Sequence, residues 1–494
     1  MQRISTFLRS RFNRGLFLAT LIAGCSATNA PLNEVLSEGQ NAPLVTAEIE
    51  DFPDDSIYIG LAFSGGGTRA SSFAYGMLDE LMKARQDKDS PFGLLDNVRL
   101  VSGVSGGSVT AAYFGLRGPK ALKGYRERYL IQDGERYMAN SKFNPVTIAK
   151  GLSGGANSRK TFGRWLDESL FHGATFGDLR RESRILTWIN AADVANNTTF
   201  LFSPETFDAL CSDLSRLPIS EAVAASAAFP LVFSPIVLEA HQKKCTYEEP
   251  DWLTAARFNP EATSAMRAHA RALESYADPE KVQFVKLLDG GITDNFGTTG
   301  LSVARARAQN QYGPLTPKEA VRLKRMLFLV ANAGVESNFG WTQKVRGPGG
   351  LQLGLSIATS AMSSATRTGY DVMRLSLDRW QQDLIDYRCG LSLGEVRRLR
   401  GTTKGWDCED IKLFVGQASF QGLPAEMRKE LNDIPTRLRL KEEEVDLAIQ
   451  AGRMATRQNP DFNGFLRSLE GFKPRGTRVG ATQVAPRRVA PVQN

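Results

Sequence analysis

Asn97-Val98-Arg99-Leu100-Val101-Ser102-Gly103-Val104-Ser105-Gly106-Gly107-Ser108 is the stretch on which the fold turns. Val98, Leu100 and Val101 are apolar and mostly β-branched, which suits a buried strand. Gly-x-Ser-x-Gly follows, with Ser105 at its centre. Residues 108–114, Ser-Val-Thr-Ala-Ala-Tyr-Phe, then read as a buried helix. Strand, tight turn and helix are the setting in which Gly-x-Ser-x-Gly becomes a nucleophile elbow. Gly103 and Gly107 lack a Cβ, so strand and helix pass close to the serine. Its hydroxyl projects from the turn above a helix N-terminus, where negative charge is favoured.

The strand before this one is Ile57-Tyr58-Ile59-Gly60-Leu61-Ala62-Phe63. It runs into Ser64-Gly65-Gly66-Gly67-Thr68-Arg69-Ala70, and a helix follows with Phe73, Met77, Leu78, Leu81 and Met82 on one face. A glycine loop at a helix start presents backbone N–H groups to an anion. A nucleotide phosphate would require a Walker Lys-Ser/Thr or a Gly-x-Gly-x-x-Gly spacing, and neither is present. An oxyanion in acyl transfer needs only two or three donors beside a nucleophile, which points to Gly65, Gly66, Gly67 and Arg69. Further apolar strands are expected over 184–191, 198–202, 282–288, 324–331 and 411–420. Asp289-Gly290-Gly291 closes the strand of 282–288 and puts a carboxylate at a strand end. Between them, Ile219 to Pro230 is a small-residue helix stopped by proline. Residues 118–180 and 260–278 read as helical insertions, the first over the sheet as a lid or acyl-chain wall.

The N-terminus reads as a targeting segment. Arg3, Arg9, Arg11 and Arg14 precede a short apolar run that ends in Leu21-Ile22-Ala23-Gly24-Cys25. This resembles a bacterial lipobox, which implies cleavage before Cys25, lipidation of Cys25, and anchorage in the cell envelope. Ser26 in place of aspartate points to the outer membrane. Removing residues 1–24 lowers the formal charge from +8 to +4 (8 − 4), so the basic balance supports no nucleic-acid partner. Four cysteines then remain, an even number that suits two disulfides in an exported chain. The shortest loops join Cys211 to Cys245 and Cys389 to Cys408. No cysteine or histidine spacing suggests a metal.

Four motifs stand in order: Gly65-Gly66-Gly67-Thr68-Arg69, Gly103-Val104-Ser105-Gly106-Gly107, Ala225-Ser226-Ala227-Ala228-Phe229-Pro230 and Asp289-Gly290-Gly291. Together they resemble the patatin-like phospholipase family over roughly residues 57–335, with Ala70 where the family has glycine. The resemblance implies an α/β fold, a three-layer α/β/α sandwich, with Ser105 as nucleophile and Asp289 as proton acceptor. It implies an acyl-enzyme, an acyl lipid or membrane phospholipid as substrate, and no cofactor or metal. His172, His241 and His269 are the chain's three histidines, and none follows a late apolar strand, where a Ser-His-Asp enzyme places its base. Two other readings stay open: a non-catalytic acyl-lipid-binding lipoprotein, and a serine esterase or protease on non-lipid substrates. The expected organisation is a signal peptide over 1–24, a lipidated tether over 25–55 and a catalytic domain over 56–335. A C-terminal α/β extension over 336–472 and a disordered basic tail over 473–494 complete it.

Overall fold

The computed structural model describes residues 29–85, 90–139, 154–260, 262–336, 342, 343, 345 and 347–469. The signal segment, Cys25 and the 473–494 tail lie outside the described residues.

Eight strands form one sheet: β1 (Ile57–Phe63), β2 (Val98–Val104), β3 (Leu186–Asp193), β4 (Thr198–Leu201), β5 (Ile236–Glu239), β6 (Phe284–Asp289), β7 (Arg325–Asn332) and β8 (Lys412–Ser419). Their order is β5-β6-β3-β2-β1-β7-β8, with β4 paired to β3. The run from β3 to β8 is parallel, whereas β6 and β4 pair antiparallel with β3. Alternation along the strands splits the core in two. Ile59, Leu61, Phe63, Leu327 and Leu329 face one side, and Ala62, Met326, Phe328 and Val330 face the other. Helices cover both faces, which gives the expected α/β/α layering.

The helices that position the site are α1 (Gly67–Lys83), α2 (Gly106–Arg117), α3 (Ile219–Ser226), α4 (Gly350–Cys389) and α5 (Glu442–Gln458). Helix α1 buries Phe73, Met77, Leu78 and Leu81 in the first core. Helix α4 buries Met373, Leu377, Trp380 and Leu384, at helical spacing, in the second.

Three expectations change. The C-terminal part is more than an extension laid on a finished core, because β8 pairs with β7 along its whole length. Helix α5 crosses α1 backbone to backbone: a Cβ on Gly76 would strike the Ile449 carbonyl, and one on Gly452 the Phe73 carbonyl. Residues 29–55 are a docked arm along the domain. Asn33 Nδ2 donates to Ser212 Oγ (2.6 Å) and to the Glu239 carbonyl (2.7 Å), and Leu36 N–H donates to the Cys211 carbonyl (2.9 Å). Polar composition suggested a tether, but Asn33 is buried and bonds both a side chain and a backbone carbonyl of the domain. The described part of the 118–180 insertion buries Tyr125, Tyr129, Phe162, Trp165 and Phe171, so it is a wall of the first core. The disulfides join Cys211 to Cys245 and Cys389 to Cys408, as loop length led us to expect.

Candidate active site

Ser105 stands between β2 and α2 with φ 51° and ψ −124°. A non-glycine residue held there stores about 1–3 kcal/mol and persists only where its surroundings fix it. The Ser105 N–H donates to Ser226 Oγ (2.8 Å), and Ser226 Oγ–H donates to the Asn190 carbonyl (2.6 Å). Ser226 is the last residue of α3, so the small-residue helix holds the elbow. The elbow glycines are needed for room. A Cβ on Gly103 would lie 2.6 Å from Ala111 Cβ, and one on Gly107 2.5 Å from the Phe63 and Ser64 carbonyls.

The glycine loop leaves β1 beside the elbow, since Phe63 and Gly103 are partners in neighbouring parallel strands. A Cβ on Gly65 would sit 3.3 Å from Ser105 Cβ. Gly66 (φ 138°) and Gly67 (φ 62°) turn the chain into α1. No acceptor within the described residues takes their N–H groups. Gly65 differs: its N–H is shared between the Asn295 carbonyl (3.2 Å) and Asn295 Oδ1 (3.1 Å). Arg69, expected among the oxyanion donors, is buried and tied elsewhere. Its Nε donates to the Ala333 carbonyl (3.2 Å), Nη1 to the Ile434 carbonyl (2.5 Å) and Nη2 to Thr436 Oγ1 (3.1 Å). It clamps the loop to the β7 end and to the chain that precedes α5.

Asp289 reaches the serine from an unexpected direction. β6 runs antiparallel to β3 and ends with Asp289 opposite Ala191, one residue beyond the level at which β2 ends opposite Asn190. The Asp289 side chain is 2% exposed, and Ser105 is 7% exposed. The Ser105 hydroxyl lies beside the Asp289 carboxylate and favours its ionised form, and the Gly291 N–H donates to Oδ1 (2.9 Å). Burial pushes the carboxyl up to about 6, against the pull of Ser105 and the Gly291 N–H. Among the described residues no histidine hydrogen-bonds to either group. His269 stacks on Trp252, His241 faces the Asn33 carbonyl (3.1 Å), and His172 is exposed. Nor does any group of three His, Cys, Asp or Glu residues among them suit a metal.

With the paired serine and aspartate, the glycine loop and the small-residue helix in one place, comparison with known families is decisive. The family model described as patatin-like phospholipase matches residues 61–301. Residues 61–301 are thus similar to that family. The match begins in β1 and ends past Asp289, so it takes in all four motifs and leaves β7, β8, α4 and α5 outside. No curated protein sequence matches the chain. Among solved structures, human GIVD cytosolic phospholipase A2 is similar at 13% identity and a TM-score of 0.38, over 84% of this chain and 62% of that one. VipD from Legionella pneumophila is similar at 11% identity and a TM-score of 0.31, over 90% and 73%. ExoU from Pseudomonas aeruginosa, solved with SpcU, gives 15% identity and a TM-score of 0.26, over 91% and 82%. The chain thus spans 62% of the length of the human enzyme.

Two site residues of the patatin-like domain carried no visible signal. Asn295 accepts from Gly65 and donates from Nδ2 to Thr366 Oγ1 (3.1 Å) on α4. Asn190 Nδ2 donates to Ser102 Oγ (2.9 Å) and to the Gly103 carbonyl (3.0 Å), which steadies the end of β2. Each is one asparagine among many until the chain folds.

Proposed function

We propose that this chain is a lipid acyl hydrolase working through a Ser105–Asp289 dyad. One observation carries the reading: the Ser105 hydroxyl rests on a buried carboxylate whose basicity burial has raised. Asp289 takes the hydroxyl proton as Ser105 Oγ attacks the ester carbonyl. The Gly66 and Gly67 N–H groups, left without an acceptor among the described residues, receive the oxyanion, and the α2 N-terminus adds its dipole. Collapse of the tetrahedral intermediate expels the alcohol, which takes the proton from Asp289. Water then attacks the acyl-enzyme and gives a proton to Asp289; the second tetrahedral intermediate expels Ser105 Oγ, which takes that proton back as the acid is released. Met362, partly exposed beside Gly291, suits an acyl chain, and the patatin-like match supports a lipid ester. Purified protein should hydrolyse phospholipid or lysophospholipid and short acyl esters, and Ser105→Ala should abolish both. Equal turnover by the Ala variant would refute the assignment.

We also propose that Cys25 carries lipid and holds the domain on the cell envelope. Radiolabelled palmitate should enter the wild-type protein and not Cys25→Ala. Label retained in the variant would overturn this.

A further inference from the structure

Helix α4 changes character along its length. From Met373 onward it is a core helix. Before that point, none of its described side chains from Leu353 to Val372 is buried. Leu353 is 48% exposed and Ile357 63%, one turn apart on the same outward face. Residues 350–366 include no charged residue at all, and between 337 and 370 the charged residues are Lys344, Arg346 and Arg367, all basic. A helix open to water ordinarily carries charge on its wet face. This half carries leucine, isoleucine and small residues there.

The same half borders the catalytic serine. Thr366 bonds Asn295, which bonds Gly65, and the Met362 methyl lies 2.6 Å from where a Gly291 Cβ would be. Leu353 stands about 20 Å further out along the axis. Near that outer end, Gly354 lies against Leu231. Just beyond Leu231, Asn29 Nδ2 donates to the Ser234 carbonyl (3.2 Å) and the Pro235 carbonyl (2.7 Å).

We propose that the uncharged half of α4, with Leu353 and Ile357 as its inserting residues, docks the mouth of the active site onto an anionic lipid surface. The apolar face enters the headgroup boundary, and the basic residues that flank it in sequence favour anionic lipid. A second copy of this chain fits less well, because it would set these bases against their own kind. The proposal rests on the lipid-hydrolase reading above.

The test uses the chain from residue 25 onward carrying Cys25→Ala, so that neither the signal segment nor an acyl anchor contributes. Flotation is measured with phosphatidylcholine vesicles and with phosphatidylcholine–phosphatidylglycerol vesicles, and turnover with a water-soluble acyl ester. The parent should float with the anionic vesicles and lose binding as salt rises. The double variant Leu353→Asp/Ile357→Asp should partition more than about tenfold more weakly, from the apolar area it no longer buries, with soluble-ester turnover unchanged. Leu375→Asp, 70% exposed but beyond the uncharged half, should bind like the parent. Should the double variant lose soluble-ester turnover through misfolding, Ile357→Asp alone decides by the same comparison. Undiminished flotation of the double variant overturns the proposal. So does a parent that floats with neither vesicle, or a Leu375→Asp loss equal to that of the pair. A parent that ignores vesicles but forms a dimer broken by the pair assigns the surface to a second copy and overturns it too. Vesicle binding with the expected pattern but no ester turnover would sink the hydrolase reading and leave the docking surface standing.

Discussion

Replacing Asp289 by asparagine should kill the activity and strengthen the fold above neutral pH. The carboxyl is buried and titrates at about 6, against an ordinary value of 3.8. Below about pH 3.8 it is protonated in both folded and unfolded chains, so it contributes no pH dependence. Between 3.8 and about 6 the unfolded chain ionises while the folded chain keeps its proton, and stability declines with rising pH. Above about 6 both are ionised and the full cost of the buried charge has been incurred. That cost is (6 − 3.8) × 1.36, about 3 kcal/mol. Asparagine never ionises, and its Oδ1 retains the Gly291 N–H bond. At pH 8 Asp289→Asn should therefore gain up to about 3 kcal/mol, a rise of about 3 °C in Tm for a chain this size. The gain should vanish below about pH 4. In the wild type, kcat/KM should fall about tenfold per pH unit below about 6, as the base becomes protonated. Differential scanning fluorimetry across pH, run beside ester hydrolysis, reads all of this. A variant no more stable than wild type at pH 8, or a gain that grows as pH falls, would refute the buried-charge reasoning. Retained activity would refute the role of the carboxylate.

Other outcomes follow from the same geometry. His172→Gln, His241→Gln and His269→Gln should each keep ester turnover within a few-fold of wild type, and a loss as complete as that of Ser105→Ala would demand a histidine base. Gly452→Val should cost about 3 kcal/mol or more in denaturant unfolding, because its side chain would meet the Phe73 carbonyl of α1; unchanged stability would mean that α1 and α5 do not cross so closely. Non-reduced peptide mapping should find Cys211 linked to Cys245 and Cys389 to Cys408, and breaking each link should cost about 3–4 kcal/mol by chain entropy. A peptide joining Cys211 to Cys408 would contradict the fold.

What could be read from the sequence was local. The alternation of β1 and β2, the glycine loop and the elbow each show in a dozen residues. The Asp289 turn shows as clearly, because its strand ends where its glycines begin. The short disulfide loops belong here too, since chain entropy depends on sequence separation. What escaped depends on contacts across the chain. Ser226 lay in a visible motif, yet its partner is the Ser105 backbone 121 residues away. Asn295 bonds Gly65 across 230 residues. Arg69 looked like an oxyanion donor because of its place in the loop, and the segments that claim it come 264 and 365 residues later. The antiparallel course of β6 was equally hidden, because an apolar strand carries no mark of its direction. The 29–55 arm misled for a different reason. Asparagines that read as solvated loop are also good binders of buried carbonyls, and only the fold decides between the two.

The account stands most directly on one reaction. The purified protein is treated with a fluorophosphonate and digested, and the labelled peptide is sequenced. An activated serine should place the label on Ser105 and nowhere else, at a rate that falls as pH drops through about 6 and that collapses in Asp289→Asn. A protein that takes no label, or takes it at another serine, or is labelled as fast in Asp289→Asn as in wild type, would contradict the Ser105–Asp289 dyad.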